Sequence, residues 1–461
     1  MRGTLARAWL VAAGMAAGAA WQPPLAVGVL GLLAASRRRP LLRAAGIASL
    51  ALGLGALAAG AEPRPSEAMA RLAAGAPRCR VEGTLREHLG GLGTLVSVGR
   101  AACSGGTFTG GIVALPSVDA DVGAPLRATG LLIRLDPADM YDRARLRFGA
   151  GAELLAEEVR SGAPTSPPLR LAARVREGLR ASARPLHMSQ GALLRGLTIG
   201  DVRDLPQDEA RELRRAGLSH LVAVSGSNVA IVLGALLAAT RRLPLGTRVA
   251  VAAAGLLLFV LVVGPEPSVL RAAAMGAVGL AALIAGTRAP PLHALALAIA
   301  VVVAFRPGLV HSPGLHLSAA ATAGIVLWTP SLARLIPLPP VVATVLAVTV
   351  AAQTAVLPVL IATFGEVPVT GAAANLLAAP AVPFATILGF GAAALGAVWP
   401  AAGELAARLA APGTAWILRV GDIFGSPSWA VVSVSSSWAV VSGAAVAVLA
   451  VRSLSRSAEI G

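Results

Sequence analysis

No lysine occurs in this chain of 461 residues, so its positive charge rests on arginine alone. A phosphate-binding P-loop, which closes on a lysine, is thereby excluded. Cysteine is nearly as scarce: Cys79 and Cys103 are the only two, with no histidine pair beside them, a poor basis for zinc. The six histidines are scattered and form no H-x-H cluster, so no metal and no other cofactor is expected. Aromatic residues supply 3% of the chain, which gives little support to a surface that stacks bases on aromatic rings. Charged residues are also few, at 13% against 56% hydrophobic, and that balance excludes an ordinary soluble protein.

What is present is a succession of apolar runs. Roughly ten are long enough, or nearly so, to cross hydrocarbon that needs about 20 helical residues. The pattern predicts a polytopic α-helical membrane protein. Arg2 and Arg7 precede an apolar run over 8–20, which resumes at 25–35 after Trp21-Gln22-Pro23-Pro24 and reads as a broken or hairpinned membrane segment rather than a processed leader. Arg37, Arg38, Arg39 and Arg43 then place their end in the cytoplasm, so the run over 44–61 carries the chain outward. Residues 1–61 are therefore assigned to amino-terminal transmembrane segments.

From 62 to 186 the composition turns polar, with no segment able to span. Alternating stretches at 80–85, 94–98 and 131–135, separated by glycine-rich turns, predict an inserted extracytoplasmic all-β domain, with an OB-like barrel as one candidate. Phe108, Tyr141 and Phe148 are its visible stacking candidates. Outside the cytoplasm a Cys79–Cys103 disulfide is permitted, and closing a loop of about 25 residues would contribute roughly 3 kcal/mol. The domain ends in a basic amphipathic segment, 169–184, with Leu171, Val175 and Leu179 on one face among Arg170, Arg174, Arg176, Arg180 and Arg184. It reads either as an interfacial helix or as a surface contacting lipid or nucleic-acid phosphate.

Apolar runs return over 218–239, 249–263, 268–285, 292–305, 315–329, 340–362, 369–398, 405–420 and 430–451. Arg241, Arg242, Arg248 and Arg288 alternate correctly with an outside Gly264-Pro265-Glu266-Pro267, and Arg452 and Arg456 belong to a short cytoplasmic tail. The sharpest feature lies in the first run, where Ser225, Gly226, Ser227 and Asn228 interrupt apolar sequence. A polar break at membrane depth is tolerated only against protein or a water-filled cavity, so it marks a packing site or a pathway. Arg271, Ser318, Gln353 and Asn375 are further polar positions within or beside apolar runs, where an ionisable group costs roughly 2.5 to 3.5 kcal/mol. Arg271 is near enough to a helix end to snorkel, and the amides and hydroxyls suit interhelical hydrogen bonds. His220 stands near the start of its run and Ser225 close by, yet no G-x-S-x-G elbow and no nearby acid exist to build a hydrolase, so no catalytic residue is assigned.

Residues 192–201, A-L-L-R-G-L-T-I-G-D, and 216–229, A-G-L-S-H-L-V-A-V-S-G-S-N-V, resemble the ComEC family of DNA-internalisation channels of natural transformation. The likeness continues at 267–272, 307–318, 351–358, 364–365 and 375–380, and covers about 190 to 395. It implies a competence-type transmembrane channel domain over 187–400 and carboxy-terminal transmembrane segments with the tail over 401–461. The implied function is passage of single-stranded DNA across the cytoplasmic membrane, with His220, Ser225, Gly226, Ser227, Asn228, Arg271, Ser318, Gln353 and Asn375 along the pathway. A surface DNA receptor and a cytoplasmic translocase or single-strand-binding proteins are the implied partners, besides membrane lipids. Two departures stand out: Ser227-Asn228 replaces the leucine or alanine, then histidine or asparagine, of many relatives, and the chain reaches Gly461 without their metallo-β-lactamase-like nuclease domain. The competing expectations are a small-solute transporter with a broken-helix site, for which no internal repeat is evident, and a non-conducting scaffold.

Overall fold

The computed structural model describes residues 67–459, apart from 89–92, 223, 288, 307–308, 310–311 and 436. The amino-terminal segments read at 1–61, with their arginine cluster, lie outside the described residues, as does Arg288. Residues 67–174 form one compact unit and 175–459 another.

In the first unit a short helix α1 (Glu67–Ala73) precedes six strands, β1 (Arg78–His88), β2 (Thr94–Cys103), β3 (Gly106–Phe108), β4 (Ile112–Leu115), β5 (Pro125–Ile133) and β6 (Ala152–Ser161), with α2 (Met140–Arg147) before the last. Their order is β1–β5–β6–β4–β2, and β1 returns to pair with β2, so these strands close a barrel with β3 appended to β2. Only β4 and β6 run parallel. Alternation explains the closure: Cys79, Val81 and Leu85 of β1 point inward with Val96, Leu115, Leu132 and Leu154, while Arg78, Arg80 and Arg86 face out. Met69 of α1 plugs the same core. The β5–β6 ladder shifts register at Thr129/Gly130, and the backbones come so close there that a Cβ on Gly130 would lie 2.1 Å from the Leu155 carbonyl oxygen, which only glycine allows. The antiparallel register sets Cys79 opposite Cys103, and the two are joined as a disulfide.

Helix α3 (Pro167–Ala183) carries the chain into the second unit, where α4 (Met188–Ile199), α5 (Gln207–Arg215) and the short α6 (Ser219–Val222) lead to an apolar series. It comprises α7 (Gly226–Ala239), α8 (Leu245–Val263), α9 (Pro267–Ile284), α10 (Pro291–Phe305), α11 (Pro313–Leu335), α12 (Pro340–Phe364), α13 (Gly371–Ala378), α14 (Ala381–Gly396), α15 (Pro400–Gly425) and α16 (Ser437–Glu459). Strands β7 (Glu366–Pro368) and β8 (Val431–Ser433) pair antiparallel. Proline opens α9, α10, α11, α12 and α15, where its missing N–H is no loss.

Among the described residues four helices, α8, α9, α11 and α12, are long and apolar enough to cross a membrane. The run over 369–398 is two helices, α13 and α14, bent by 52° at Ala379-Pro380. The run over 405–420 lies inside a longer helix whose ends carry the ion pairs Glu404–Arg408 and Arg419–Asp422. Close crossings use small residues, as expected where lipid-like side chains give no preference for one neighbour. A Cβ on Gly324 of α11 would lie 2.4 Å from that of Ala355 in α12. Gly178 of α3 meets the backbone of α14 near Ala393 and Ala397, and Ser182 Oγ donates to the Gly178 carbonyl at 2.7 Å.

Candidate functional site

The site begins where the chain fails to continue as one helix. Gly217 adopts a left-handed conformation with φ +71°, α6 lasts one turn, and Ser225 is extended before α7 starts at Gly226. A side chain is disfavoured at Gly217 twice over, by φ and by the Gly371 Cα, which would lie 3.0 Å from its Cβ and would have to give way.

Two groups of polar residues form on this break. In the first, Asn228 is buried and donates from Nδ2 to the Leu197 carbonyl of α4 at 2.8 Å. Ser225 Oγ lies 2.5 Å from Ser227 Oγ and donates to Asn228 Oδ1 at 3.3 Å. Ser268 Oγ of α9 donates to the Val224 carbonyl at 3.0 Å. One turn on, Arg271 is 5% exposed and donates from Nε to Ser318 Oγ at 2.9 Å and from Nη1 to Thr322 Oγ1 at 2.8 Å, both on α11. Nη1 also reaches Met275 Sδ at 3.4 Å. Among the described residues no carboxylate pairs with Arg271. The guanidinium is thus held by neutral groups well inside the fold, not snorkelled to its edge.

The second group surrounds Gly217. Asn375 Nδ2 donates to the Gly371 carbonyl at 2.8 Å and to that of Gly217 at 3.4 Å. Gln353 of α12 lies against Gly371, where a Cβ would stand 2.2 Å from its Nε2. His220 is exposed and bonds to the Gly217 backbone. The sequence-predicted positions therefore separate: Ser225, Gly226, Ser227, Asn228, Arg271 and Ser318 gather on α7, α9 and α11, whereas His220, Gln353 and Asn375 gather where the first break meets α13. Sequence reasoning missed Ser268, Thr322 and Gly371. Ser268 and Thr322 lie on helix faces shared with Arg271 and Ser318, a spacing signal that was there to read.

The basic segment divides as well. Arg170 and Arg174 are exposed, and Arg184 pairs with Glu177 on the surface. Arg176 is buried and donates to the Leu261 carbonyl at 3.3 Å. Arg180 reaches Asp201 at 3.2 Å, as Arg203 does at 2.9 Å. Burial alone would push the Asp201 carboxyl up, but Arg203 and Arg180 outweigh it and hold the group well below the usual carboxylate range. Val175 and Leu179 are buried, so the apolar face of α3 is covered by protein over this half.

No cluster of three or more histidine, cysteine or carboxylate side chains suited to a metal ion occurs among the described residues. Chemically the arrangement offers hydroxyl, amide and guanidinium donors, with no nucleophile oriented by a base.

Comparison with known proteins falls on this same region. Residues 197–457 match the family model described as Competence protein, a span that holds both polar groups. Over 138 residues the chain is 32% identical to ComE operon protein 3 of Bacillus subtilis (strain 168), an alignment covering 29% of this chain and 18% of that protein. No solved structure matches the chain.

Proposed function

The chain belongs to the competence protein family, and from that premise we propose that it is a multi-pass channel of the cytoplasmic membrane that passes single-stranded DNA during natural transformation. The observation that carries this reading is the meeting of the Ser225–Asn228 break with Ser268, Arg271, Ser318 and Thr322 inside an apolar helical unit. A strand bearing about one negative charge per nucleotide needs its phosphates screened without being trapped. Hydroxyls, amides and one sparse cation meet that need, since conduction requires binding weak enough to release.

The barrel of the first unit is, in this reading, an OB-like domain outside the cytoplasm. Its five-strand closure and its disulfide support that, because such bonds persist in oxidising compartments. A surface DNA receptor would deliver the strand, and a translocase or single-strand-binding proteins would take it up inside.

The contact between the break at Gly217 and the bent pair α13–α14 favours a second reading, a small-solute transporter, whose discontinuous helices also meet at the site. One experiment separates them. Cells carrying a deletion of this chain should bind labelled DNA at the surface and fail to internalise it; unimpaired internalisation would sink the channel reading.

A further inference from the structure

We infer that the amino-terminal ends of α7, α9 and α11, with the Arg271 guanidinium among them, form a binding site for one phosphodiester group; that this group belongs to a DNA strand rests on the channel reading. The helices begin at Gly226, Pro267 and Pro313. None of these ends is closed by a side chain: Ser225, Glu266 and Ser312 hold the capping positions, and none makes a cap hydrogen bond. The Asn228, Leu315 and His316 N–H groups turn back onto the Ser225 and Ser312 carbonyls, and Pro267 and Pro313 carry none, so the open N–H groups are those of Gly226 and Ser227, of Ser268 and Val269, and of Gly314, at the positive poles of their helices, each about half an elementary charge.

Specific contacts bring the three ends together. Ser268 at the start of α9 is bonded to the Val224 carbonyl just before α7, Arg271 of α9 is bonded to Ser318 and Thr322 of α11, and a Cβ on Gly314 would lie 3.9 Å from Pro267 Cγ. Placing a buried arginine there adds positive charge to positive poles, the reverse of what stabilises a helix end. A carboxylate would be the expected compensation, but the Arg271 partners are the neutral Ser318, Thr322 and Met275. Nε and Nη1 are occupied by neutral partners, which leaves Nη2 as the Arg271 donor with no protein partner among the described residues. That atom faces the start of α7: a Cβ on Gly226 would stand 2.4 Å from it. Gly226 is thus the space through which guanidinium and helix end reach one ligand. Planar guanidinium donors beside free backbone N–H groups recognise a phosphate oxyanion.

Lipid headgroups share this chemistry, so the test includes both sources. Purified full-length protein in uncharged detergent is titrated calorimetrically with inorganic phosphate, a short thymidine oligonucleotide and a short-chain phosphatidylglycerol. Phosphate and oligonucleotide should bind saturably and compete. Arg271→Gln and Gly226→Ala should each weaken binding about tenfold or more, with Arg271→Lys intermediate. Wild-type protein that binds neither ligand overturns the site whether or not the variants fold, and so does binding unchanged in both variants that elute as the wild type does. Lipid binding without oligonucleotide binding overturns the assignment to a DNA strand. DNA uptake keeps the two readings apart. Arg271-dependent phosphate binding with normal uptake by Arg271→Gln cells removes this residue from the channel and leaves the anion site standing. Lost uptake with no phosphate binding does the opposite.

Discussion

Asn228 Nδ2 donates to the carbonyl oxygen of Leu197 at 2.8 Å, and so ties the first turn of α7 to the last turn of α4. The last carbonyls of a helix have no partner within it. Helix α4 ends on Gly200 with φ 75°, whose N–H returns to the Gly196 carbonyl, and Asn228 serves the next one along. Asn228→Leu keeps the volume and removes the donor, leaving a buried carbonyl unsatisfied at a cost of about 1 to 3 kcal/mol. The expected result is a lower midpoint of thermal unfolding in detergent, with reduced DNA uptake at equal protein level. An unchanged midpoint would show that the bond contributes nothing to stability.

Asp201 gives a prediction in pH. Its carboxyl is held below the ordinary range by Arg203 and Arg180, so its folded pKa lies below its unfolded value of about 4. The stabilisation is therefore complete above that value and is lost as pH falls from about 4 toward the folded pKa. Wild type should be more stable than Asp201→Asn at neutral pH, and the gap should narrow in acid. Denaturant unfolding of both proteins from pH 7 down to about 3 measures it; a constant gap would mean that the ion pairs do not set it.

These two residues also mark how far the sequence could be read. The break at Ser225–Asn228 was legible because four polar or small residues interrupt an apolar run, which hydrocarbon penalises. The strands of the barrel were legible from alternation, and the Cys79–Cys103 pair from its setting. Partner choice was not legible. That Asn228 serves Leu197, or that Arg176 is consumed by Leu261 while Arg170 stays exposed, depends on which helices cross, and composition does not encode that. Single hydroxyls such as Thr322 pass for ordinary helix residues until a guanidinium is found beside them. The division of the polar residues into two groups likewise follows from the left-handed Gly217 and the bend at Ala379-Pro380.

The disulfide yields a test of compartment as well as stability. Cys79 and Cys103 close 24 residues of sequence, and losing that link should cost roughly 3 kcal/mol through the freed unfolded chain. Cys79→Ser should lower the unfolding midpoint of the full chain. In intact cells neither cysteine of the wild type should take up a maleimide until a reductant is added. Rapid labelling without reductant would place the barrel in a reducing compartment and remove the support for an external domain.

The contact between Gly371 and Gln353 permits a stricter test, because it can be broken from either side. A Cβ on Gly371 would lie 2.2 Å from Gln353 Nε2, far inside van der Waals contact, so Gly371→Ala must displace the amide or move α13 away from α12. Moving α13 would in turn disturb Asn375, which spans from Gly371 to Gly217 and ties α13 to the break. Overpacking a core costs about 1 to 3 kcal/mol, and the cost here lies toward the lower end because the atom in the way is the end of a flexible side chain. Gln353→Ala alone removes the amide and leaves a space beside the glycine, with a smaller loss. In the double variant the alanine methyl finds that space, so Gly371→Ala should cost clearly less on the Gln353→Ala background than on the wild type. Thermal unfolding of the four proteins gives the coupling directly. Additive losses would show that the amide is not what excludes a side chain at Gly371.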